Sequence, residues 1–405
     1  MKKLIHVALG IITSIGGFLE VGSIATTVQG GAEFGYQLAW AVALGTLALL
    51  FLMEMSGRLA AVTQATLADH MRKRFGIRFF AVVLVAVVVV SYLVLASEIG
   101  GVSLALQMAT GVSFQYWALP VAFLGWLLIW VGTFGIVEQG TALLGLVAVV
   151  FAVGALKLHP HWTALGAGLS PSVPSHDVAR YWFLAVSILG AAISPYLYFF
   201  YSAGAIEDKW DATYIPINRI TATLGNCFGG LLSVAVLVVA AIVFEPRGIQ
   251  IDRYEQIAVM LAPPLGRWGF VLFLATLGVT CFGAAVELTL ATAYLLAQGF
   301  GWEWSEDAAP AKNARFSLSY TVMIFLAALP MALGVDPLKL TNFSMVLTAA
   351  SLPVSVVPIL VLMNDREVLS RYRNGWISNV ALGLIALLSV VLLVVAFPLQ
   401  VLGSS

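Results

Sequence analysis

Apolar stretches of about twenty residues recur along the whole of this chain, and no other feature restricts its fold so strongly. That length, wound as helix, spans the hydrocarbon core of a bilayer. With 61% hydrophobic and 10% charged residues, the chain lacks the polar surface that a soluble domain of 405 residues needs. No long polar segment is available for a separate soluble domain, so one membrane domain, residues 1–405, is expected. Zero net charge offers no basic surface to nucleic acid. Cys227 and Cys281 both sit in apolar runs, which argues against a disulfide framework or a thiolate metal site. The spans hold no nucleophile–histidine pair and no phosphate loop, so neither an enzyme nor a bound cofactor is expected.

Eleven spans are predicted, at 5–30, 35–60, 78–108, 116–137, 141–157, 180–204, 215–244, 264–299, 314–334, 340–363 and 375–402. Lys2 and Lys3 precede the first apolar run as in a signal peptide, but no small-residue cleavage site follows, so a retained helix is expected. Basic residues concentrate in loops on one side: Arg72, Lys73, Arg74 and Arg78, then Arg366, Arg371 and Arg373. By the positive-inside rule that side is cytoplasmic. The N-terminus then falls inside and, with an odd number of spans, the C-terminus outside.

Two spans read as interrupted. The first contains Gly16-Gly17-Phe18-Leu19-Glu20-Val21-Gly22-Ser23, and the sixth Gly190-Ala191-Ala192-Ile193-Ser194-Pro195-Tyr196. Glycine weakens a helix and proline removes a backbone donor. The two sit at corresponding places if the first ten spans are two sets of five, at 5–157 and 180–363, with 375–402 as an extra span. Paired interruptions of this kind point to a midplane binding site in a transporter.

Acidic residues within apolar spans are costly and usually functional. Glu20 lies in the first interruption, with Ser23 three residues on. A carboxylate, a hydroxyl and freed carbonyls make an oxygen-rich set suited to hard cations such as Mg²⁺, Ca²⁺ or Mn²⁺. Glu54 precedes Arg58 by four residues, the spacing of a helical ion pair. Glu98 is followed by Gly100-Gly101, which allow close helix packing; an ion or proton path and a structural hydrogen bond both fit it. Glu138 lies near a span end. Glu287, mid-span, has no evident partner in the sequence.

The stretch from Phe18 through Thr26, followed by Gln29-Gly30-Gly31-Ala32 and Phe34-Gly35-Tyr36-Gln37, resembles the first span of the NRAMP divalent-metal transporters. That family shows Asp-Pro-Gly-Asn, then Ile-Ala-Thr, then a Gly-Ala-aromatic-Gly-Tyr turn. Gly190-Ala191 to Ser194-Pro195-Tyr196 resembles its sixth-span Met-Pro-His segment, and Ser97-Glu98-Ile99-Gly100, Gln298-Gly299-Phe300 and Asp365-Arg366 fall in matching order. The departures bear on chemistry. Glu20 stands where the family has aspartate, Val21 for proline, Ser23 for asparagine, Ser194 for the metal-binding methionine, Tyr196 and Tyr201 for two histidines, and Leu95 for a third-span aspartate. A tenth-span glutamine falls near Ser351. Loss of the methionine and histidines is similar to the NRAMP-related magnesium transporters.

The resemblance implies an all-α LeuT-like fold of two inverted five-helix repeats plus one extra helix. It implies a hard divalent cation, Mg²⁺ or Mn²⁺, held by Glu20, Ser23, Ala191 and Ser194. Tyr196, Tyr201, Glu98, Glu287 and Ser351 would line the ion's surroundings or path. Tyrosine, with a reference pKa near 10, carries protons poorly at neutral pH, so uncoupled movement is expected. A transporter of another small solute, such as an amino acid or amine paired with Glu20, is the alternative. A non-transporting membrane scaffold or sensor is a third. Beyond the ion and the lipid bilayer, no obligate protein partner is evident.

Overall fold

A computed structural model of the protein describes residues 19–132, 146–174, 176–306, 308 and 310–403. Backbone groups at membrane depth find no water and must bond within their own segment, which favours helix. Hydroxyls obey the same constraint by bonding back one turn. Thr46, Ser103, Thr289 and Thr292 each donate to the carbonyl four residues earlier, at 2.7, 2.7, 2.7 and 2.8 Å.

The first helix, α1 (Val21–Phe34), begins directly after the extended Glu20. Next come α2 (Ala39–Thr63), α3 (Leu67–Thr110) and α4 (Phe114–Val131). After residues 133–145 come α5 (Val149–Lys157) and α6 (Trp162–Gly168). The sixth span is two helices, α7 (Val178–Ala192) and α8 (Pro195–Glu207), separated by Ile193 and Ser194. Then follow α9 (Ile215–Val243), the short α10 (Tyr254–Ile257) and α11 (Ala262–Leu265), and α12 (Arg267–Phe300). The chain closes with α13 (Ala314–Ala332), α14 (Pro337–Leu362), the short α15 (Arg366–Leu369) and α16 (Trp376–Gly403).

Among the described residues nine helical segments are long and apolar enough to cross a membrane, or ten if Leu146–Lys157 and Trp162–Gly168, bent by 119°, are one span. The eleventh predicted span is the first, of which the described part is the 14-residue α1. Gly16, Gly17 and Glu138 lie outside the described residues.

Two boundaries differ from the sequence reading. Helix α3 starts at Leu67 rather than 78, because Thr66 and Asp69 form a reciprocal capping box there. Its first turns are set off by Gly76, whose φ of 81° is non-helical. The fifth span turns sharply into α6, a bend that apolar periodicity does not reveal. The long eighth span is one unbroken helix of 34 residues, about 50 Å at 1.5 Å per residue and so longer than the hydrocarbon core is thick.

Burial orders the helices. In the sixth span 94% of the most apolar stretch is buried inside the protein, against 28% in α4 and 33% in α16. Helices α1, α7 and α8 therefore form the centre, and α4 and α16 the lipid-facing rim. Helix α1 packs on α7 and α9, and α14 packs on α3, α7 and α16. Glu54 and Arg58 form the expected pair at 3.0 Å, and Arg58 also donates to Asn374 Oδ1 at 2.7 Å. Gly100 abuts Met331 and Pro337, and Gly101 abuts Cys281 and Val21, as the small pair foretold.

The tightest approach at the centre is that of α7 to α14. A Cβ on Gly190 would collide with the carbonyl oxygen of Met345 and lie 3.1 Å from the Ala349 Cβ. Gly190→Val is therefore expected to cost about 1–3 kcal/mol through overpacking. The loss should appear as a lower melting temperature of the purified protein in detergent; an unchanged melting temperature would show that α7 and α14 can separate without cost.

Candidate functional site

Both interruptions expose backbone groups that a continuous helix would satisfy, and the site is built from what satisfies them. Glu20 is extended (φ −98°, ψ 173°) and its carbonyl accepts the first hydrogen bond of α1, from Ile24 N–H at 3.0 Å. The amide of Val21, which has no helical acceptor, donates to Glu98 Oε1 at 2.9 Å. So the third-span glutamate seals the start of α1. At the second interruption Ile193 leaves the helix and Ser194 is extended (φ −67°, ψ 124°). Ser194 Oγ donates to the Ala191 carbonyl at 3.3 Å. Pro195 opens α8, where its missing N–H costs nothing.

The two interruptions meet through one hydrogen bond, from the Tyr196 hydroxyl to Glu20 Oε2 at 3.1 Å. Glu20 is 1% exposed, and its Oε1 has no hydrogen-bond partner among the described residues. Glu98, fully buried, likewise has an Oε2 without one. Glu287 of α12 is buried and within electrostatic range of Glu20, which in turn acts on Glu98. Glu20 thus has two further buried acids within electrostatic range at membrane depth, where charge is expensive.

Of the residues singled out from sequence, Glu20 and Tyr196 are joined across the two interruptions, and Ala191 and Ser194 lie at the second one. Ser23 is buried one turn into α1, its carbonyl accepting from Thr27 Oγ1. Glu98 adjoins through Val21. Tyr201 sits farther along α8 and donates to Asn218 Oδ1 at 2.9 Å, apart from Glu20. Ser351 bonds back to the Thr348 carbonyl at 2.8 Å. Among the described residues no three His, Cys, Asp or Glu side chains converge as a metal-binding group. The donors at the interruptions are instead one carboxylate, hydroxyls and the carbonyls at the end of α7, a helix terminus that favours cations.

The sequence reading missed two sulfur atoms. Cys281 of α12 is buried, within electrostatic range of Glu98. Met345 of α14, also buried, lies against Gly22. In an apolar helix either residue reads as core filling, and only the packing of helices distant in sequence singles them out.

The Tyr196–Glu20 bond joins the interruptions, so its loss has a defined outcome. Tyr196→Phe leaves a buried carboxylate oxygen without its donor, a cost of about 1–3 kcal/mol. Thermal melts without added ion should show a lower midpoint for the variant; equal midpoints would mean the bond contributes nothing to the fold.

Comparison with known proteins fits this architecture. A family profile described as "Natural resistance-associated macrophage protein-like", Nramp, matches residues 10–398. The divalent metal cation transporter MntH of Aeromonas hydrophila is 25% identical over 371 residues, covering 88% of this chain and 87% of its own. That of Caldanaerobacter subterraneus is 24% identical over 388 residues, covering 92% and 88%. A solved structure of a mutant Eremococcus coleocola manganese transporter has a TM-score of 0.79 at 18% identity, covering 96% of this chain and 85% of that one. Mhp1, a nucleobase-cation-symport-1 family transporter, has a TM-score of 0.63 at 15% identity, covering 97% and 91%. These likenesses give the fold as LeuT-like, two inverted five-helix repeats with one extra helix. The profile match runs nearly the length of the chain, which therefore belongs to the Nramp family of multi-pass membrane transporters and not to a class of enzymes.

Proposed function

We propose that this transporter moves a hard divalent cation, Mg²⁺ or Mn²⁺, by alternating access around Glu20, without coupling to protons. One observation carries the reading: a buried carboxylate oxygen, Glu20 Oε1, lacks a donor and has the acidic side chains Glu98 and Glu287 as electrostatic neighbours. A bound cation relieves both the missing partner and the repulsion. Glu20 would be the charged ligand, with Ser23, the Ala191 carbonyl and Ser194 as neutral oxygen donors. Tyr196 would hold the second carboxylate oxygen in place. The names of the relatives, divalent metal and manganese transporters, support the same substrate class. No cofactor and no obligate protein partner enter this mechanism. The orientation we infer has the N-terminus cytoplasmic and the C-terminus outside, from the basic loops.

Uptake into liposomes tests the ligand assignment. Glu20→Gln should abolish saturable Mn²⁺ and Mg²⁺ uptake while the protein still purifies as folded. Wild-type uptake by that variant would end the metal reading, and competition by amines in place of metals would favour the organic-solute alternative.

The uncoupled mechanism rests on side-chain chemistry. Tyr196 and Tyr201 occupy positions where the family has histidines associated with proton movement, and Leu95 replaces a third-span aspartate. Histidine titrates near pH 6.5, tyrosine near 10 and leucine not at all. Glu98 and Glu287 are the remaining acids near the site. Liposomes loaded with a pH dye should show no acidification that tracks metal uptake. If acidification does track uptake and vanishes in Glu98→Gln or Glu287→Gln, the transport is coupled and that residue is the carrier.

A further inference from the structure

On the face that carries the basic loops, a cavity of about 1020 Å³ opens between the end of α2, the first turns of α3, the end of α14 and α15. Its wall holds three basic side chains, Lys73, Arg74 and Arg366, against two acids, Asp365 and Glu367. Asp365 is already engaged: one oxygen accepts from the Glu367 amide at 2.9 Å and the other pairs with Arg74 at 3.2 Å. Lys73 and Arg366 are exposed and, among the described residues, form no ion pair. The wider setting is basic too, since residues 67–79 carry Arg72, Lys73, Arg74 and Arg78 against Asp69 alone.

Another part of the wall is apolar. Val361 lines the cavity and is 40% exposed, and Val357, one turn deeper on α14, is 41% exposed. Past Gly76, α3 exposes Ile77, Val82 and Val85. Helix α16 begins with Trp376 and Ile377, both largely exposed. Its Asn379 exchanges two hydrogen bonds of 2.8 Å with Asn364 of the cavity wall. Tryptophan at the start of a span marks the headgroup level of a bilayer. The cavity therefore straddles that level, with cations toward water and uncovered valines toward hydrocarbon. Free phosphate would meet the cations and leave the valines bare. A molecule with an anionic head on apolar chains matches both, and a basic cluster beside a span attracts such lipids. We propose that this cavity binds an anionic phospholipid, its phosphate held by Lys73 and Arg366 and its acyl chains laid along Val357 and Val361. The lipid ties α3 to α14 and α15 at the membrane surface, whatever Glu20 binds.

Calorimetric titration of the full-length protein, in an uncharged detergent, with a short-chain phosphatidylglycerol tests the site. The wild type should bind it saturably, and should bind neither short-chain phosphatidylcholine nor inorganic phosphate comparably. Lys73→Gln combined with Arg366→Gln should weaken binding by about tenfold or more, since two charges at the membrane surface are lost. Lys312→Gln combined with Arg315→Gln removes the same charge from the loop after α12, whose last turn Arg72 contacts at Gly299. That control should stay within about twofold of the wild type. Equal weakening by both pairs would mean diffuse surface charge and overturn the site. Equal binding of phosphatidylcholine overturns the anionic preference, and equal binding of inorganic phosphate overturns the lipid. Absence of saturable phosphatidylglycerol binding by the wild type overturns the whole proposal. Should the Lys73 and Arg366 variant fail to fold, a phosphatidylglycerol with a photoreactive acyl chain decides on the wild type alone. Labelling of the peptide around Val357 and Val361 supports the site, and labelling confined to other segments overturns it.

Discussion

The structure turns on how two interrupted helices keep their backbone satisfied where no water is available. An unpaired amide or carbonyl in hydrocarbon costs several kcal/mol, so an interruption persists only if neighbouring helices supply its partners. Here Glu98 of α3 takes the Val21 amide and Ser194 takes the Ala191 carbonyl. Tyr196 ties one interruption to the other through Glu20. The Ser194 bond is local, but the Glu98 and Tyr196 bonds come from elements far apart in sequence, and they require α1, α3 and α8 to meet at the centre. The low burial of α4 and α16 follows, since helices that carry no interruption can face lipid.

Away from the centre, ion pairs fasten the helices in groups. Arg180, at the start of α7, donates to both oxygens of Glu33 in α1, at 3.0 and 2.8 Å, and to the Gly403 carbonyl at 3.1 Å. Both side chains are largely buried, so this forked pair is screened less than a surface pair would be. It joins α1 beyond its interruption to α7 before its own. Another group lies around Arg58 of α2, which holds Glu54, the Tyr372 carbonyl and Asn374. Asn218 of α9 donates to the Glu54 carbonyl at 2.8 Å and accepts from Tyr201 of α8. The fastened groups thus lie on opposite sides of the sixth-span interruption, α7 in one and α8 in the other. Ile193 and Ser194 are the only residues between them.

Much of this was legible in the sequence, for identifiable reasons. Hydropathy located the spans because the bilayer imposes a length. The sixth-span interruption was legible because proline and glycine act locally, and the helix breaks at the expected Ser194-Pro195. Glu54 and Arg58 were legible because a four-residue spacing settles the pairing on one helix turn. Glu98 was left between a structural hydrogen bond and an ion path, since its bond to Val21 crosses 77 positions of sequence. Met345 was missed for the same reason: the glycines that make room for it lie on α1 and α7, and nothing within α14 marks it. The early start of α3 was missed because its capping box precedes a charged stretch that reads as loop.

The donor set bears on how such a site would release what it binds. A carrier must hold its ion well enough to select it and weakly enough to give it up. A cage of several carboxylates around a divalent ion would bind tightly and release slowly, and no such cage is present among the described residues. Glu20 offers one oxygen, because Tyr196 occupies the other. Glu98 spends one oxygen on the Val21 amide. The remaining donors proposed are a serine hydroxyl on each side and one carbonyl, all neutral and divided between the two interrupted spans. If those helices move apart as proposed, the neutral donors would leave one by one while the carboxylate stays with α1. The ion would then exchange protein oxygens for water in small steps, each worth far less than the loss of a charged ligand.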